Sequence, residues 1–173
     1  MRRVMIIGQP GAGKSTLARA LAAKTGLPVI HIDHIHWQAG WVERSAAEKT
    51  RLCVEAAAGE GWIFEGGHSA TWEGRLARAD TVIWIDAPSA LRIWCVIRRT
   101  VFGRGGTRPD LPVGCVEGFH HETLPFWRFI WRTRKAARHK IQQFWDRVPD
   151  GKTRVHLRNK KQVAAFLRSG FPQ

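Results

Sequence analysis

The string Gly8-Gln9-Pro10-Gly11-Ala12-Gly13-Lys14-Ser15, followed by Thr16, fits G-x-x-x-x-G-K-[ST] at every position. Residues of these types at this spacing capture anions. The glycines let successive backbone N–H groups turn inward on a row of phosphates, the lysine ammonium reaches the β and γ oxygens, and the adjoining hydroxyl offers an oxygen to Mg2+. Gly8, Pro10, Gly11, Ala12, Gly13, Lys14, Ser15 and Thr16 are therefore the expected contacts to a nucleoside triphosphate. Lys14 would act on the transferring phosphoryl group and Ser15 on the metal.

A second group of chemistry-bearing residues lies further along. Arg98, Arg99, Arg104 and Arg108 surround Gly103, Gly105 and Gly106. Glycine hinges beside guanidinium forks make a lid, over about residues 102–118, able to close on phosphate, exclude water and neutralise charge developing on the γ-phosphoryl group. Arg104 and Arg108 are its expected catalytic members, and Arg98 and Arg99 are expected to hold the nucleotide. Arg108 precedes Pro109, so its backbone should be extended. In Glu65-Gly66-Gly67-His68 the glycines either let a substrate approach the backbone, with Glu65 as a second acceptor ligand, or form a tight turn at positive φ. His31, His34 and His36 bracket Asp33. On a strand His31 and Asp33 would share a face while His34 and His36 fall outside it, so packing or substrate contact is expected rather than a transition-metal site.

These side chains need a scaffold, and the apolar pattern supplies one. Residues 4–7 read as a buried strand entering the glycine loop, and Leu17, Ala18, Leu21 and Ala22 recur at helical spacing until Gly26 and Pro28 stop them. Further strands are expected over 28–32, 62–65, 81–85 and 153–157. Ser45 with Glu48 makes a capping box for a helix to about Ala58, and after Pro88 Ser89 caps a helix through Ile97. Pro125 opens a long helix to about Arg147 with Phe126, Ile130, Ala137, Ile141 and Phe144 on one stripe, and a last helix follows Asn159 with Gln162 at the box position. Strand and helix alternate, so the expected fold is a three-layer α/β/α arrangement on a parallel five-stranded sheet, with the site at the strand ends.

The chain has 173 residues, 44% hydrophobic and 24% charged, which suits one folded domain over 1–173. No apolar run is long enough to span a membrane, and the N-terminal run reaches Gly8 before a signal core could form, so a cytoplasmic location is expected. Cys53, Cys95 and Cys115 are far apart and form no C-x-x-C pair, which argues for reduced thiols. The 28 basic residues outnumber the 14 acidic ones for a net charge of +14. Residues 1–90 hold 10 basic and 9 acidic residues and residues 91–173 hold 18 and 5, so the second half is built to meet anions. Trp127, Trp131 and Trp145 lie among those basic residues, a mixture compatible with nucleic acid or a membrane surface. The simpler account packs the Phe126 stripe on the sheet and leaves the basic face solvated, with some arginines turned toward substrate phosphates.

The glycine loop, the tract Thr25-Gly26-Leu27-Pro28-Val29-Ile30-His31-Ile32-Asp33, and Asp80-Thr81-Val82-Ile83-Trp84-Ile85-Asp86-Ala87-Pro88 with Arg98-Arg99 resemble the adenylate-kinase-like branch of the P-loop kinases. Trp37 with Gly40-Trp41, Glu65-Gly66-Gly67, and Thr107-Arg108-Pro109-Asp110 with Gly114-Cys115 resemble the small bacterial family of DNA topology modulation proteins (FlaR-type). The likeness runs over nearly the whole chain and implies ATP and Mg2+. By this resemblance Asp86, after the fourth strand, is the carboxylate that holds the Mg2+ water shell, no other acid being so placed relative to Ser15. Asp33, ending the second strand, would face the phosphoryl acceptor and orient or deprotonate its hydroxyl, with Glu65, Gly66 and Gly67 beside it.

A phosphotransferase moving the γ-phosphoryl group of Mg·ATP to a small nucleotide or hydroxyl acceptor accounts for the loop, Asp33, Asp86 and the lid together. An ATP-dependent DNA-binding protein accounts for the charge, but such engines normally carry further motifs and larger cores. A GTPase-type switch is disfavoured because no D-x-x-G follows a strand and Asn159-Lys160-Lys161-Gln162 lacks the aspartate that reads guanine. Within the first class, Arg44 and Arg51 are the arginines that follow the second strand, where adenylate-kinase-like enzymes hold an acceptor's phosphate, and neither sits in a recognisable motif.

Overall fold

Alternation along the first strand decides the layering. In the computed structural model, which describes residues 1–103, 109–116, 118–119 and 123–169, β1 (Arg3–Gly8) turns Val4 and Ile6 to one side and Met5 and Ile7 to the other. Val4 and Ile6 meet Leu17, Ala18 and Leu21 of α1 (Lys14–Thr25) and Val163, Phe166 and Leu167 of α7 (Lys160–Arg168). On the other side, Met5 and Ile7 join a cluster with Cys53 and Ala57 of α3 (Ala46–Ala57), Trp72 and Leu76 of α4 (Trp72–Arg78), and Ile141, Phe144 and Trp145 of α6 (Thr123–Asp146). Strands buried on both faces are what a parallel sheet with helices on either side requires.

That sheet has five parallel strands in the order β2 (Val29–His31), β5 (Trp62–Glu65), β1, β6 (Thr81–Ile85), β7 (Thr153–Leu157). Register brings the ends together: His31 pairs with Glu65, Ile6 with Glu65, Gly8 with Ile85, and Ile85 with Leu157. Three expected caps form as read. Ser45 accepts from the Glu48 N–H, Asn159 accepts from the Gln162 N–H, and Gly26 ends α1 at φ 72°.

Several expectations shift. The second strand stops at His31, and Ile32 and Asp33 open a short helix, α2 (Ile32–His36), so Asp33 and His31 do not share a strand face. A small antiparallel hairpin, β3 (Trp37–Gln38) and β4 (Val42–Glu43), and the helix α4 were not legible beforehand. Pro88 rather than Ser89 caps α5 (Ser89–Phe102), which runs past Ile97, while the Ser89 hydroxyl accepts from Arg92. Along α6, Ile130, Ile141 and Phe144 are buried but Phe126 is 40% exposed, so the stripe packs on the sheet only in its second half. No helix among the described residues is long and apolar enough to cross a membrane.

Candidate active site

The glycine loop joins β1 to α1 and is braced by α5 and α6. Gly11 has φ 76°, and a Cβ there would lie 2.3 Å from the Arg92 carbonyl oxygen, so only glycine lets the loop pass this close to α5. The buried Arg92 guanidinium donates to the carbonyls of Pro10 (3.2 Å) and Ala87 (3.2 Å) and to Ser89 (3.1 Å). Gln9 donates through Nε2 to the Arg134 carbonyl of α6 at 2.8 Å. Lys14 Nζ donates to the Gln9 carbonyl at 3.2 Å. Burial pushes the Lys14 ammonium below its ordinary range, the Glu65 and Asp33 carboxylates oppose that, and Arg99 and Arg92 add to it. Lys14 thus feels two acids and two guanidinium groups. Of the arginines expected at the nucleotide, Arg99 is half-buried and acts on Lys14, whereas Arg98 is exposed on α5.

Two carboxylates end the strands on either side of β1, and their partners differ. Glu65 is 2% exposed and accepts at Oε1 from the Ser15 hydroxyl (2.9 Å) and from His31 Nδ1 (2.8 Å). Burial alone would raise its carboxyl, but the His31 hydrogen bond, the Lys14 charge and the Ser15 hydroxyl outweigh it and hold the group below the usual range. Asp86 is gripped by Arg138 of α6, with Nε 2.9 Å from Oδ1 and Nη2 2.6 Å from Oδ2, and His156 lies 3.4 Å away. Burial opposes ionisation of Asp86 as well, and the Arg138 fork with His156 prevails, lowering it. The reading that no acid but Asp86 is placed relative to Ser15 is therefore corrected: the acid on Ser15 is Glu65.

Gly66 and Gly67 divide the two roles expected of them. Gly66 has φ 118°, and a Cβ on it would overlap Ile32 Cγ2 at 2.0 Å, so its missing side chain is used by packing. Gly67 faces open space. The carbonyls of Gly66, Gly67 and His68 all accept from Arg75, a buried residue of α4 stacked over Phe64, and Trp72 also donates to Gly67. Burial pushes Arg75 down to about 10, which leaves it charged at neutral pH. Asp33 sits half-buried in the first turn of α2, close enough for its charge to act on Lys14.

The region after β2 uses its cations internally. Arg44 Nη1 donates to the carbonyls of His34, Ile35 and Trp37, closing the end of α2, and its Nε pairs with Glu48 at 3.2 Å. Arg51 pairs with Glu55, and Lys49 with Glu43. His34 meets the Pro109 carbonyl and His36 meets Glu43. Among the described residues no group of three or more His, Cys, Asp and Glu could hold a metal ion. Residues 109–116, read as part of a lid, pack on this region and on α1: Asp110 pairs with Arg19 of α1, Cys115 donates to the Gln38 carbonyl, and Val116 accepts from Trp41. Arg104 and Arg108 lie outside the described residues.

Ser15 and Glu65 are hard oxygen donors next to the loop that would hold phosphates, which suits Mg2+, an ion usually bound by one or two protein groups, substrate phosphates and water. Sequence reasoning missed Arg75, Arg92 and Arg138 as braces. The legible signal was the spacing Arg92, Val96, Thr100, which puts an arginine on the buried stripe of α5.

Comparison with known proteins agrees with the fold. Shikimate kinase from Bacteroides thetaiotaomicron superposes with a TM-score of 0.59 at 17% identity, covering 96% of this chain and 94% of that one. Shikimate kinase from Acinetobacter baumannii, in complex with shikimate, gives 0.58 at 15% identity over 97% and 89%. The fold is the three-layer α/β/α P-loop fold that these two structures share. A sugar kinase from Janibacter sp. gives 0.51 at 14% identity over 96% and 91%. Residues 4–87, somewhat less than half of the chain, match the model of the ATPase family associated with various cellular activities (AAA). A protein of Arabidopsis thaliana named "Probable inactive ATP-dependent zinc metalloprotease FTSHI 5, chloroplastic" is 42% identical over 52 residues, a stretch that is 30% of this chain and only 4% of that protein.

Proposed function

We propose that this protein is a kinase that moves the γ-phosphoryl group of Mg·ATP to a small acceptor, and that the acceptor group is a hydroxyl. The observation that carries the reading is the convergence of Lys14, Ser15 and Glu65 at the ends of β1 and β5, with the Asp33 charge acting on the same lysine. The loop N–H groups and Lys14 bind the phosphates, and Ser15 with Glu65 holds the metal side. Bound Mg2+ would supply charge neutralisation on the β and γ oxygens. Asp33 orients the acceptor hydroxyl and takes its proton. Arg104 and Arg108 are the arginines expected to neutralise charge developing on the transferring group. The bonding of Arg44 to α2 carbonyls and of Arg51 to Glu55 favours a hydroxyl over a nucleoside monophosphate, whose phosphate needs a cation of its own.

A second reading, an ATP-dependent DNA-binding protein as in the DNA topology modulation likeness, draws on one observation. The first half of α6 exposes Phe129 and Trp131 beside Arg128 and Arg132, side chains able to stack bases and meet phosphates. ADP release from Mg·ATP by wild type and Lys14→Ala separates the two, with added nucleosides, nucleoside monophosphates, polyols, hydroxy acids, and single- or double-stranded DNA at fixed salt. Stimulation by one small hydroxyl compound, lost in the mutant by about 10²-fold or more, is the expected result. Stimulation by DNA alone would replace the first reading by the second. In the same assay Arg104→Ala and Arg108→Ala are expected to lower kcat more than ATP affinity.

A further inference from the structure

His31 has no part in the reaction as drawn above, yet it touches the residue that the reaction depends on. It ends β2 opposite Glu65 in the parallel register, is 8% exposed, and sets Nδ1 2.8 Å from Glu65 Oε1. The Ser15 hydroxyl reaches the same oxygen at 2.9 Å. With both neighbours within hydrogen-bond distance of one carboxylate oxygen, an acceptor, the arrangement assigns the donor role to each and places the imidazole proton on Nδ1. Two donors on one oxygen fix the direction of the carboxylate. A serine whose proton is committed to that oxygen has its lone pairs left for a cation.

We propose that His31 is a positioning residue: its Nδ1–H fixes the Glu65 carboxylate, and through it the Ser15 hydroxyl, for the Mg2+ of Mg·ATP. The inference rests on the kinase reading of this site. A histidine present only to fill the space between β2 and β5 would need no carboxylate on Nδ1. Outer partners of this kind typically change metal affinity or activity by about 10- to 100-fold when removed.

The test uses the full chain and three substitutions. His31→Leu removes the donor, His31→Gln carries its amide past the Nδ1 position, and His31→Asn keeps a donor about where Nδ1 stands. Two quantities are read: ATP affinity by calorimetry with and without Mg2+, and the Mg2+ concentration that half-saturates ADP release. In His31→Leu and His31→Gln, Mg·ATP affinity is expected to fall and the half-saturating Mg2+ to rise, each by roughly 10- to 100-fold, with metal-free ATP affinity unchanged. His31→Asn is expected to restore most of the loss. Wild-type Mg2+ dependence in a folded Leu or Gln variant overturns the proposal, as does an Asn variant no better than Gln. If His31→Leu does not fold, the Gln and Asn pair decides. A wild type that needs Mg2+ and Lys14 while all three variants match it sinks this inference alone. A wild type whose ATP binding and turnover ignore Mg2+ sinks the kinase reading with it.

Discussion

The ends of β5 and β6 flank the same glycine loop, and each carries a carboxylate, buried in Glu65 and half-buried in Asp86, but the two are held by different partners. At the end of β5, Glu65 is bonded by a loop serine and by a histidine of β2. At the end of β6, Asp86 is bonded twice by one guanidinium from α6, with His156 of β7 beside it and the His156 ring stacked on Trp84. Arg138 cancels the Asp86 charge with two short hydrogen bonds, which ties α6 to the sheet. Glu65 keeps its charge beside Lys14 and a hydroxyl, where charge can act on a bound ligand. Position at a strand end is shared by both acids. Their partners differ, and on the proposed kinase reading that difference separates a reactive edge from a bracing one.

This contrast can be attacked from either side. On the β5 side, Asp33→Asn is expected to cut kcat by about 10³-fold while leaving ATP affinity within a few fold. Single-turnover kinetics with the acceptor found in the panel assay checks this, and surviving transfer would remove Asp33 from the acceptor side. On the β6 side the effect is smaller and concerns stability. The Asp86 carboxyl is lower in the folded protein than in the unfolded chain, so its contribution is fully present above the ordinary aspartate pKa of about 4 and fades as pH falls through the lowered value. Asp86→Asn is expected to cost roughly 0.5–1 kcal/mol near neutral pH, because half of Arg138 is exposed and the pair is screened by water, or about 1–4 °C in Tm. That gap should begin to narrow below about pH 4 and close once pH has fallen past the lowered Asp86 value. A gap independent of pH would mean that the Asp86 charge contributes nothing to the brace.

Much of the scaffold was legible because its signals are local. Apolar runs bounded by glycine and proline gave the five strands, and Ser45 and Asn159 announced their helices by side chains that cap within three residues. The boundary after β2 failed for a physical reason. Ile30, His31, Ile32 and Asp33 alternate like a strand, but Ile32 is drawn under Gly66, whose missing side chain it fills, and the backbone coils there into α2. The two-residue strands of the hairpin are too short to show a period. In the site, the loop and Lys14 were plain from the motif, whereas the pairings that distinguish Glu65 from Asp86 span 50 and 52 residues and depend on sheet order. No local spacing encodes them. Arg75 and Arg92 were hidden by their type, since an arginine in sequence reads as solvated charge until the carbonyls it bonds are folded around it.

The central claim is that the β5 edge carries the chemistry and the β6 edge braces it. Its most direct test is the rate of acceptor-dependent ADP release from Mg·ATP by wild type, Glu65→Gln and Asp86→Asn, each shown to be folded by its thermal transition. The account predicts a loss of about 10²-fold or more for Glu65→Gln and less than about tenfold for Asp86→Asn. The reverse order, with Asp86→Asn inactive and Glu65→Gln near normal, would contradict it and return the metal side to Asp86.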